Sequence, residues 1–452
     1  MSMNRRRFFT LGAAGMASLA APAALADSSL IRKGAKPSGT TTAAAAALPV
    51  VGARGRVVVV GGGMGGASVA KYLRAWGGAN VEVTLIEKEL RYTSNILSNL
   101  VLTGSLGMTS LYFDYAKLKA NYGVKVVQGE VTAVDTVTKR VHYLVAGKAA
   151  FVDYDRLVIA PGIDFLYPPG LAGNTAAQNE IVHAWKAGPQ TEKLRSQLLA
   201  MPTGGRFVMT IPPKPYRCPP GPYERACVVA DWVKKNKGSA ARVTVLDANP
   251  DITAEVHTFT QAFYGTHAGV IDYRRNETVL SVDPVTKTIV TPSGAYKGDV
   301  LNVIPPHTAG QLAQTMNVAD AATTFGGRFC NVDVLTYESK VAPFVHVIGD
   351  ASATTQPKAG HIANQEAKVC ADAIVRLLSG QQPDPSPVTN SSCYSPITAK
   401  TASWLSAVFA YDPVSKTMVT VGGAASEATT ISGDHYEDMF VWFRTLMADT
   451  FA

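Results

Sequence analysis

Cysteine is the residue type with the most distinctive chemistry in this sequence, and it occurs five times, at Cys218, Cys227, Cys330, Cys370 and Cys393. Two cysteines that lie close together can exchange electrons as a dithiol and a disulfide. Cys227 and Cys370 fall at apolar positions of helical segments, where we expect small buried residues. Cys218 differs, because Arg217 and a run of prolines flank it. No spacing matches a zinc site or a C-x-x-C-H haem motif, so we expect no metal and no haem in this chain.

A glycine-rich stretch is the second chemical signal. Two β-branched segments that are predicted to be buried parallel strands enclose it: RVVVV (56–60) and VEVTLIE (81–87). Gly61, Gly63 and Gly66 form a G-x-G-x-x-G pattern, which permits a tight turn and lets a pyrophosphate reach a helix N-terminus. Glu87 ends the second strand and can accept hydrogen bonds from a ribose. These features predict a dinucleotide-binding βαβ unit.

Two later segments indicate which dinucleotide binds. They are YDRLVIAPGIDF (154–165) and HVIGDAS (346–352). The first places Ala160 and Gly162 at a strand end, and the second does the same for Gly349 and Asp350. Both resemble FAD-binding segments of two-dinucleotide-fold flavoproteins of the disulfide reductase class. The resemblance implies that Asp350 contacts the ribityl chain, and that the helix starting near Gly360 directs its positive end at the flavin.

A second strand–loop–helix–strand unit lacks the glycines. Its predicted elements are the strand GRFVMTIPP (205–213), the helix ERACVVADWVKKNK (224–237) and the strand ARVTVLDAN (241–249). The loop before the helix contains KPYRCPPGPYE, and its prolines lack the N–H groups that would hold phosphates. We therefore expect no nicotinamide site, and a substrate that reduces the flavin directly.

Longer strings resemble one family. They are RCPPGPYERA, HAWKAG (183–188), IPPHTAG (304–310), VDVLTYES (332–339), HVIGDA (346–351) and the closing DTF (449–451). From about residue 55 to residue 452, the chain resembles the flavoprotein subunit of flavocytochrome c sulfide dehydrogenase. The resemblance implies a redox disulfide over the flavin, formed by Cys218 and Cys393. It also implies that Glu224 lies near the same face and handles protons. Cys330 has a family counterpart, which we interpret as structural.

The resemblance also bears on how FAD is held. Some family members bind FAD covalently through a cysteine in a Y-T-C-Y-L-S-N string. Here the string is YTSNILSN, with Ser94 and Asn95 at that place, so we expect non-covalent FAD. The predicted FAD-binding residues are Gly61, Gly63, Gly65, Gly66, Glu87, Lys88, Ser94, Val131, Ala160, Gly162, Gly349, Asp350, Lys358 and Gly360.

The implied reaction is the oxidation of sulfide. Hydrosulfide would attack the Cys218–Cys393 disulfide, and the electrons would pass to FAD and then to a c-type cytochrome subunit that carries the haem. Which cysteine carries the persulfide stays open. One alternative is a sulfide:quinone oxidoreductase, which needs a membrane-facing apolar surface, but we favour a subunit contact for the aromatic tail 436–452. Another is a non-catalytic flavin-binding electron carrier, which predicts that Cys218 and Cys393 lie far apart.

The N-terminus predicts export. Arg5-Arg6-Arg7-Phe8-Phe9 precedes a short apolar run that ends in Ala24-Leu25-Ala26, so residues 1–26 are predicted to be a twin-arginine signal for the periplasm. Residues 27–53 are predicted to be a flexible linker. No later stretch predicts a membrane span. Without the signal the chain has 39 basic and 34 acidic residues, a mild excess that does not indicate nucleic-acid binding.

These patterns predict an α/β protein. Two interleaved dinucleotide-binding-type (Rossmann-like) domains of the disulfide reductase class should be followed by a C-terminal α/β interface domain. The predicted parts are an FAD-binding domain in two pieces (54–200 and 311–382), a second dinucleotide-fold domain (201–310) and the interface domain (383–452).

Overall fold

A computed structural model describes residues 52–320 and 326–452 of the chain. The predicted export signal (1–26) and the predicted linker as far as residue 51 lie outside the described residues. The α-helices of the described part are Met64–Gly77, Ser98–Thr103, Ala116–Tyr122, Thr175–Glu180, Pro189–Ala200, Gly221–Asn236, Val256–Gln261, Gln311–Thr315, Gly360–Leu378 and Gly433–Phe451. Helices and strands alternate through most of it, and the fold is of the predicted mixed α/β class.

A seven-stranded sheet carries the glycine loop. Its strands, from edge to edge, are Val332–Asp333, Glu338–Ser339, Val345–Val347, Arg156–Ile159, Gly55–Val60, Val81–Glu87 and Lys125–Gln128. The last five strands of this order run parallel to one another. The first two strands pair antiparallel with each other, and Glu338–Ser339 also pairs antiparallel with Val345–Val347. The central strand Gly55–Val60 is buried from Val57 onward, as the β-branched run predicts for an interior parallel strand. The helices Met64–Gly77 and Gly360–Leu378 pack on one another beside it.

A four-stranded parallel sheet forms the second unit. Its order is Ile271–Arg275, Arg242–Asp247, Arg206–Ile211 and Val300–Asn302. The helix Gly221–Asn236 packs on this sheet and starts three residues earlier than predicted, because the prolines at 220 and 222 are tolerated around a helix start. The first sheet resumes with Val332–Asp333, after this unit ends, so the two Rossmann-like units are interleaved along the chain. The predicted domain boundaries stay predictions.

Smaller antiparallel sheets complete the two units. Their strands are Tyr92–Thr93 with Tyr112–Phe113, Ile163–Phe165 with His307–Ala309, Glu130–Asp135 with Arg140–Val145 and Lys148–Asp153, and Ser281–Asp283 with Thr288–Thr291 and Gly294–Lys297. The pairing of Ile163–Phe165 with His307–Ala309 joins a segment before the second unit to the segment that leaves it. This pairing therefore ties together the two chain segments that connect the units.

The C-terminal part is a three-stranded antiparallel sheet followed by a helix. The strands are Val388–Pro396, Ala402–Asp412 and Thr417–Glu427, and the helix is Gly433–Phe451. Phe451 of this helix stacks on Tyr92 and Phe113 of the first unit, with ring centroids 5.2 and 5.5 Å apart. Phe451 therefore packs inside the chain, whereas Tyr436 and Phe440 are half-buried, so the predicted contact of this tail with another subunit stays a prediction. In the described ranges, no helix combines the length and apolar character that crossing a membrane requires.

Candidate active site

A cavity of about 1340 Å³ is lined by both Rossmann-like units and by the C-terminal part. Fourteen of the predicted site residues lie in its wall: Gly61, Gly63, Gly65, Glu87, Lys88, Val131, Ala160, Gly162, Cys218, Glu224, Gly349, Asp350, Gly360 and Cys393. Residues from seven separate stretches of sequence thus share one surface. At about 1340 Å³, the cavity is large enough to receive a dinucleotide together with a small substrate.

Three predicted site residues lie behind the wall. Gly66 packs under the glycine loop, where an added Cβ would lie 1.7 Å from the Gly61 carbonyl oxygen, so it supports the turn. Ser94 is buried, and its hydroxyl donates to a backbone carbonyl at 3.2 Å. The Lys358 ammonium donates to a backbone carbonyl at 2.6 Å, and burial lowers its pKa to about 8. The predicted FAD contacts of Ser94 and Lys358 stay predictions.

The glycine loop leaves space and free donors at a helix N-terminus. Gly61 has φ +96°, and an added Cβ would lie 2.5 Å from the Ala160 carbonyl oxygen, so only glycine fits. Gly63 caps the helix Met64–Gly77 without a side-chain hydrogen bond. The first N–H groups of an α-helix lack partners within it and attract anions. This arrangement fits the pyrophosphate of a dinucleotide.

A second helix N-terminus and an acid with one unpartnered oxygen complete the binding surface. Asp350 lies in the cavity wall, and its Oδ1 is buried without a hydrogen-bond partner. Its Oδ2 lies 3.6 Å from the guanidinium of Arg217. The helix Gly360–Leu378 starts at the wall with no side-chain cap, so its positive end is open to a ligand. A buried acceptor without a donor fits a ligand hydroxyl, such as those of the FAD ribityl chain.

The structure brings Cys218 and Cys393 together. Cys218 lies in the loop before the helix Gly221–Asn236, and Cys393 lies in the strand Val388–Pro396. Both are thiols and partly accessible, and the Cys218 thiol is within hydrogen-bonding reach of the Cys393 thiol. This hydrogen bond, with burial next, raises the pKa of Cys218 well above its usual value. Two sulfurs 175 residues apart in the sequence are therefore neighbours in the cavity wall.

The other three cysteines take no part in the cavity. Cys227, Cys330 and Cys370 are each 0% exposed, and none lies in its wall. Burial raises the pKa of the Cys330 thiol to about 12, and it raises the pKa values of the other two as well. Thiols that do not ionise near neutral pH are poor nucleophiles. Within residues 52–320 and 326–452, no group of three or more His, Cys, Asp or Glu side chains could hold a metal ion.

Glu224 gives the cavity a carboxyl group that can change its charge near neutral pH. It lies in the first turn of the helix Gly221–Asn236, and its Oε1 accepts a 2.8 Å hydrogen bond from the Asn99 amide. Burial raises its pKa from 4.5 to about 8, and the charge of Glu255 adds to this effect. The charge of Glu224 in turn raises the pKa of Cys218. A carboxyl group with this pKa can both accept and release protons at neutral pH.

A buried arginine fixes the helix that carries Glu224. Arg225 is 1% exposed and donates to the side-chain oxygens of Asn99 at 2.8 Å and Asn302 at 2.9 Å. Its guanidinium lies 4.6 Å from the centre of the Trp185 ring, and the Trp185 indole donates to the Arg217 carbonyl at 2.5 Å. These contacts tie the Cys218 loop and the Glu224 helix to the first unit.

Sequence reasoning assigned no role to several of these supporting residues. Trp185 and Arg217 lie inside the strings HAWKAG and RCPPGPYERA, so the family resemblance contained a signal for both. Asn99 ends the string YTSNILSN, so the resemblance contained a signal for it as well. Asn302 carries none, because an asparagine acquires its role only from the partners that the fold supplies. Both are buried side chains that accept from one arginine.

The interleaved Rossmann-like units and the dinucleotide-type cavity define a flavoprotein of the pyridine nucleotide-disulphide oxidoreductase class. The model of that class matches residues 55–208. Two narrower models match further parts of the chain. Residues 191–305 match the central part of the sulfide dehydrogenase (flavocytochrome c) flavoprotein chain, and residues 385–451 match the flavin-binding part of flavocytochrome c sulphide dehydrogenase.

A curated relative agrees with these models. The flavoprotein chain of sulfide dehydrogenase (flavocytochrome c) from Chlorobaculum thiosulfatiphilum is 52% identical over 46 residues, which are 10% of this chain and 94% of that sequence. The chain belongs to the family of flavocytochrome c sulfide dehydrogenase flavoprotein chains. FAD is its cofactor, as predicted, and it is a flavin oxidoreductase.

Two further similarities are more distant. The type II NADH:quinone oxidoreductase NdhA of Mycobacterium tuberculosis is 33% identical over 118 residues, so the match covers 26% of this chain and about a quarter (24%) of that enzyme. The solved structure of the sulfide:quinone oxidoreductase from Aquifex aeolicus has a TM-score of 0.69 at 18% identity, covering 88% of this chain and 91% of that one. This structural likeness shows a shared fold.

Proposed function

We propose that this chain oxidises sulfide at the Cys218–Cys393 pair, with FAD as the electron acceptor. The observation that carries the proposal is the meeting of these two thiols in the wall of the cavity that also contains the FAD-binding glycine loop. The family name supports sulfide as the substrate, since the Chlorobaculum relative is a sulfide dehydrogenase flavoprotein chain. A small anion suits the cavity, because Arg217 stands beside Cys218 in its wall.

The first step is a thiol–disulfide exchange. In the oxidised state, Cys218 and Cys393 form a disulfide, and hydrosulfide attacks one of its sulfurs. The bond between the two cysteines breaks, and a new sulfur–sulfur bond forms, which leaves a persulfide on one cysteine and a thiolate on the other. The sulfide sulfur is oxidised and the disulfide is reduced. Glu224, whose pKa is about 8, takes the proton that the sulfide sulfur still carries.

The residues of this chain hold the cofactor for that chemistry. FAD, when bound, supplies a two-electron acceptor that can release its electrons one at a time. The glycine loop with Gly61 and Gly63 would hold the pyrophosphate, and Asp350 would accept from a ribityl hydroxyl. We propose that binding is non-covalent. Ser94 is buried outside the cavity wall, and Asn95 has no nucleophile to offer, so neither replaces the linking cysteine of other family members.

We propose a c-type cytochrome subunit as the next electron carrier and the periplasm as the location. The word flavocytochrome in the family description supports the first part, since such proteins combine a flavin chain with a cytochrome. The arginines at 5–7 and the apolar run behind them support export by the twin-arginine route. A protein that binds FAD as it folds suits a route for folded proteins.

The two alternative functions have less support. A sulfide:quinone oxidoreductase would need an apolar surface that faces the membrane, and the fold of the Aquifex aeolicus enzyme is similar. Several large apolar side chains of the C-terminal helix are instead buried, with Phe443 and Phe451 6% and 4% exposed. A non-catalytic electron carrier predicts that Cys218 and Cys393 lie far apart, whereas their thiols are neighbours.

Replacement of either cysteine tests the proposal. In Cys218→Ser and Cys393→Ser, the rate at which sulfide bleaches the FAD absorbance should fall by about a thousandfold or more, because the attacked disulfide cannot form. FAD should stay bound in both. Cys227→Ser is the matched control, since Cys227 is buried outside the cavity, and it should keep the wild-type rate. Equal bleaching rates in Cys218→Ser and wild type would contradict the proposal.

A further inference from the structure

A histidine ring holds the backbone next to Cys218. The N–H of Arg217, the residue before Cys218, donates to Nδ1 of His307 at 2.9 Å. His307 is fully buried and begins the strand His307–Ala309. At Arg217 the chain belongs to neither a helix nor a strand, so its N–H has no partner in regular secondary structure. The ring therefore supplies the acceptor that the local backbone does not.

A second histidine does the same beside Cys393. The N–H of Ser392, the residue before Cys393, donates to Nδ1 of His361 at 3.0 Å. Ser392 lies in the strand Val388–Pro396, which is at the edge of its sheet, so the N–H groups on its outer side have no partner strand in that sheet. His361 is the second residue of the helix Gly360–Leu378 and lies in the cavity wall. This ring therefore connects the strand of Cys393 to a helix whose N-terminus lies in that wall.

Both rings accept at Nδ1, which requires that this nitrogen carries no proton. Burial lowers the pKa of His361 to about 4. Burial also lowers the pKa of His307 well below its usual value, and the charge of Arg217 acts in the same direction. The rings are therefore neutral near neutral pH, with their one proton on Nε2. The Ser392 carbonyl oxygen lies 3.3 Å from Nδ1 of His361, farther away than the Ser392 nitrogen, so the N–H is the closer partner.

The other nitrogen of His307 shows what this ring contributes. Its Nε2 is buried and has no hydrogen-bond partner among the described residues. A buried donor without a partner costs free energy, so its presence calls for an explanation. An apolar side chain of similar size would avoid that cost but would leave the Arg217 N–H without its acceptor. The contribution of the ring is therefore the hydrogen bond at Nδ1, beside Cys218.

A disulfide has narrow geometric requirements. Its two Cβ atoms lie about 3.5 to 4.5 Å apart, and deviations store strain that makes the bond easier to reduce. Cys218 lies in the loop before the helix Gly221–Asn236, and Cys393 lies in the strand Val388–Pro396, so no local turn fixes their separation. The two histidine hydrogen bonds each fix the chain one residue before a cysteine. They thereby determine how closely the two sulfurs can approach.

We propose that His307 and His361 are positioning residues that set the redox equilibrium of the two cysteines in the cavity wall. The inference rests on the proposed function, in which these cysteines form a disulfide, and extends it to the stability of that bond. With both hydrogen bonds made, the disulfide forms with little strain and resists reduction by thiols. Without one of them, the backbone N–H moves toward another acceptor, the sulfur is displaced, and the disulfide is reduced more easily.

The test measures this equilibrium without sulfide. Holoprotein is equilibrated without oxygen in mixtures of reduced and oxidised dithiothreitol or glutathione, quenched with acid and alkylated. Mass spectrometry then gives the fraction of linked Cys218 and Cys393 peptides. His307→Leu and His361→Leu keep the approximate size of the side chain but remove the acceptor. In each, the equilibrium constant for forming the disulfide should fall by at least about tenfold, which raises the reduction potential by about 30 mV.

Asparagine variants separate the role of the acceptor from a packing role. Asparagine places its side-chain oxygen where histidine has Nδ1, so His307→Asn and His361→Asn should restore most of the wild-type equilibrium. His346→Leu is the matched control. His346 is buried outside the cavity wall, and its Nδ1 lies 2.8 Å from the carbonyl oxygen of Thr336, which belongs to neither cysteine segment. This variant should keep the wild-type equilibrium even where its free energy of unfolding falls.

Two outcomes would overturn the inference alone. The first is a wild-type disulfide whose equilibrium is unchanged in both leucine variants. The second is an equal loss in the leucine and asparagine variants, because the acceptor would then not be the cause. If His307→Leu does not fold, the His361 variants decide the question, since that ring is half-buried in the cavity wall.

Other outcomes bear on the proposed function. If the equilibrium shifts as expected but sulfide does not bleach FAD, the inference is supported and the proposed function is wrong. If Cys218 and Cys393 form no disulfide in wild type at any redox poise, the inference and the proposed function are both wrong.

Discussion

The two Rossmann-like units of this chain share a strand–loop–helix–strand layout and use the loop in different ways. In the first unit, the loop between the strand Gly55–Val60 and its helix is glycine, and it leaves free N–H groups at a helix N-terminus. In the second unit, the loop after the strand Arg206–Ile211 is rich in proline and carries Cys218. The same layout thus offers backbone N–H groups that can bind phosphate in the first unit and a cysteine side chain that can react in the second.

The acid at the end of the second strand differs in the same way. Glu87 of the first unit faces the cavity. Asp247 of the second unit is 0% exposed, and its Oδ2 accepts from the hydroxyls of Tyr223 and Tyr273, each at 2.8 Å. Its Oδ1 accepts from Asn249 at 2.8 Å. In the second unit, the carboxylate at the position that could bind a ribose is therefore buried and accepts hydrogen bonds from side chains of the protein itself.

The largest effect should follow from damage to the glycine loop. In Gly66→Ala, the new Cβ would lie 1.7 Å from the Gly61 carbonyl oxygen, so the turn cannot form and FAD binding should be lost. The ratio of flavin to protein absorbance measures this. Gly265→Ala is the matched control in the second unit, because no atom lies within 4 Å of its added Cβ, and it should keep full FAD. Wild-type FAD content in Gly66→Ala would contradict this account of the loop.

A smaller effect should follow from the acid at the start of the second helix. Where the first helix offers its N-terminus to a phosphate, the second carries Glu224, whose pKa burial raises from 4.5 to about 8. A pKa raised by folding contributes stability that is present below about pH 4.5 and is lost as the pH rises through about 8. Over that range, wild type should lose roughly 5 kcal/mol more of its free energy of unfolding than Glu224→Gln.

Denaturant unfolding of both holoproteins at several pH values measures this difference. The uncharged glutamine can still accept the hydrogen bond from Asn99, so the fold should be kept. Parallel pH profiles for wild type and Glu224→Gln would show that Glu224 ionises normally. In that case the two helix N-termini would not differ through a buried carboxyl group with a raised pKa.

The smallest effect should follow from removing a tyrosine hydroxyl that donates to Asp247 of the second unit. Tyr223→Phe removes one hydrogen bond to Asp247 and the acceptor of the Thr253 backbone N–H, while Tyr273 still donates to Asp247, so the free energy of unfolding should fall by about 1 to 2 kcal/mol. FAD content should not change, because Tyr223 lies outside the cavity wall. Urea unfolding and the flavin absorbance check the two statements. Loss of FAD in Tyr223→Phe would show that the hydrogen bonds of Asp247 in the second unit affect FAD binding by the first unit.

Local pattern was sufficient to predict the elements that bind the cofactor. The strand Val81–Glu87 has the bounds that its β-branched run predicted, and the glycines at 61 and 63 lie at the expected helix start. Such features depend on neighbours in sequence, so propensity and spacing decide them. The pairing of Cys218 with Cys393 came from the family resemblance, because spacing alone does not join thiols so far apart.

What the sequence could not predict depends on the packing of distant segments. Glu255 has no local signature, and burial in the folded protein raises its pKa although the hydrogen bond from Ser395 acts in the opposite direction. Ser94 and Lys358 lie in segments whose sequence predicts FAD binding, but the fold places both side chains behind the cavity wall. A one-dimensional pattern says which residue type is present, whereas burial and partners come from the tertiary fold.

Peptide mapping of the oxidised holoprotein tests the central claim most directly. The protein is alkylated without reduction, digested and examined by mass spectrometry for linked cysteine peptides. This account predicts one linked pair, which joins the peptides of Cys218 and Cys393, and alkylation only at Cys227, Cys330 and Cys370 once the protein is unfolded. Alkylation of both Cys218 and Cys393 after oxidation, or a link from either to another cysteine, would contradict it.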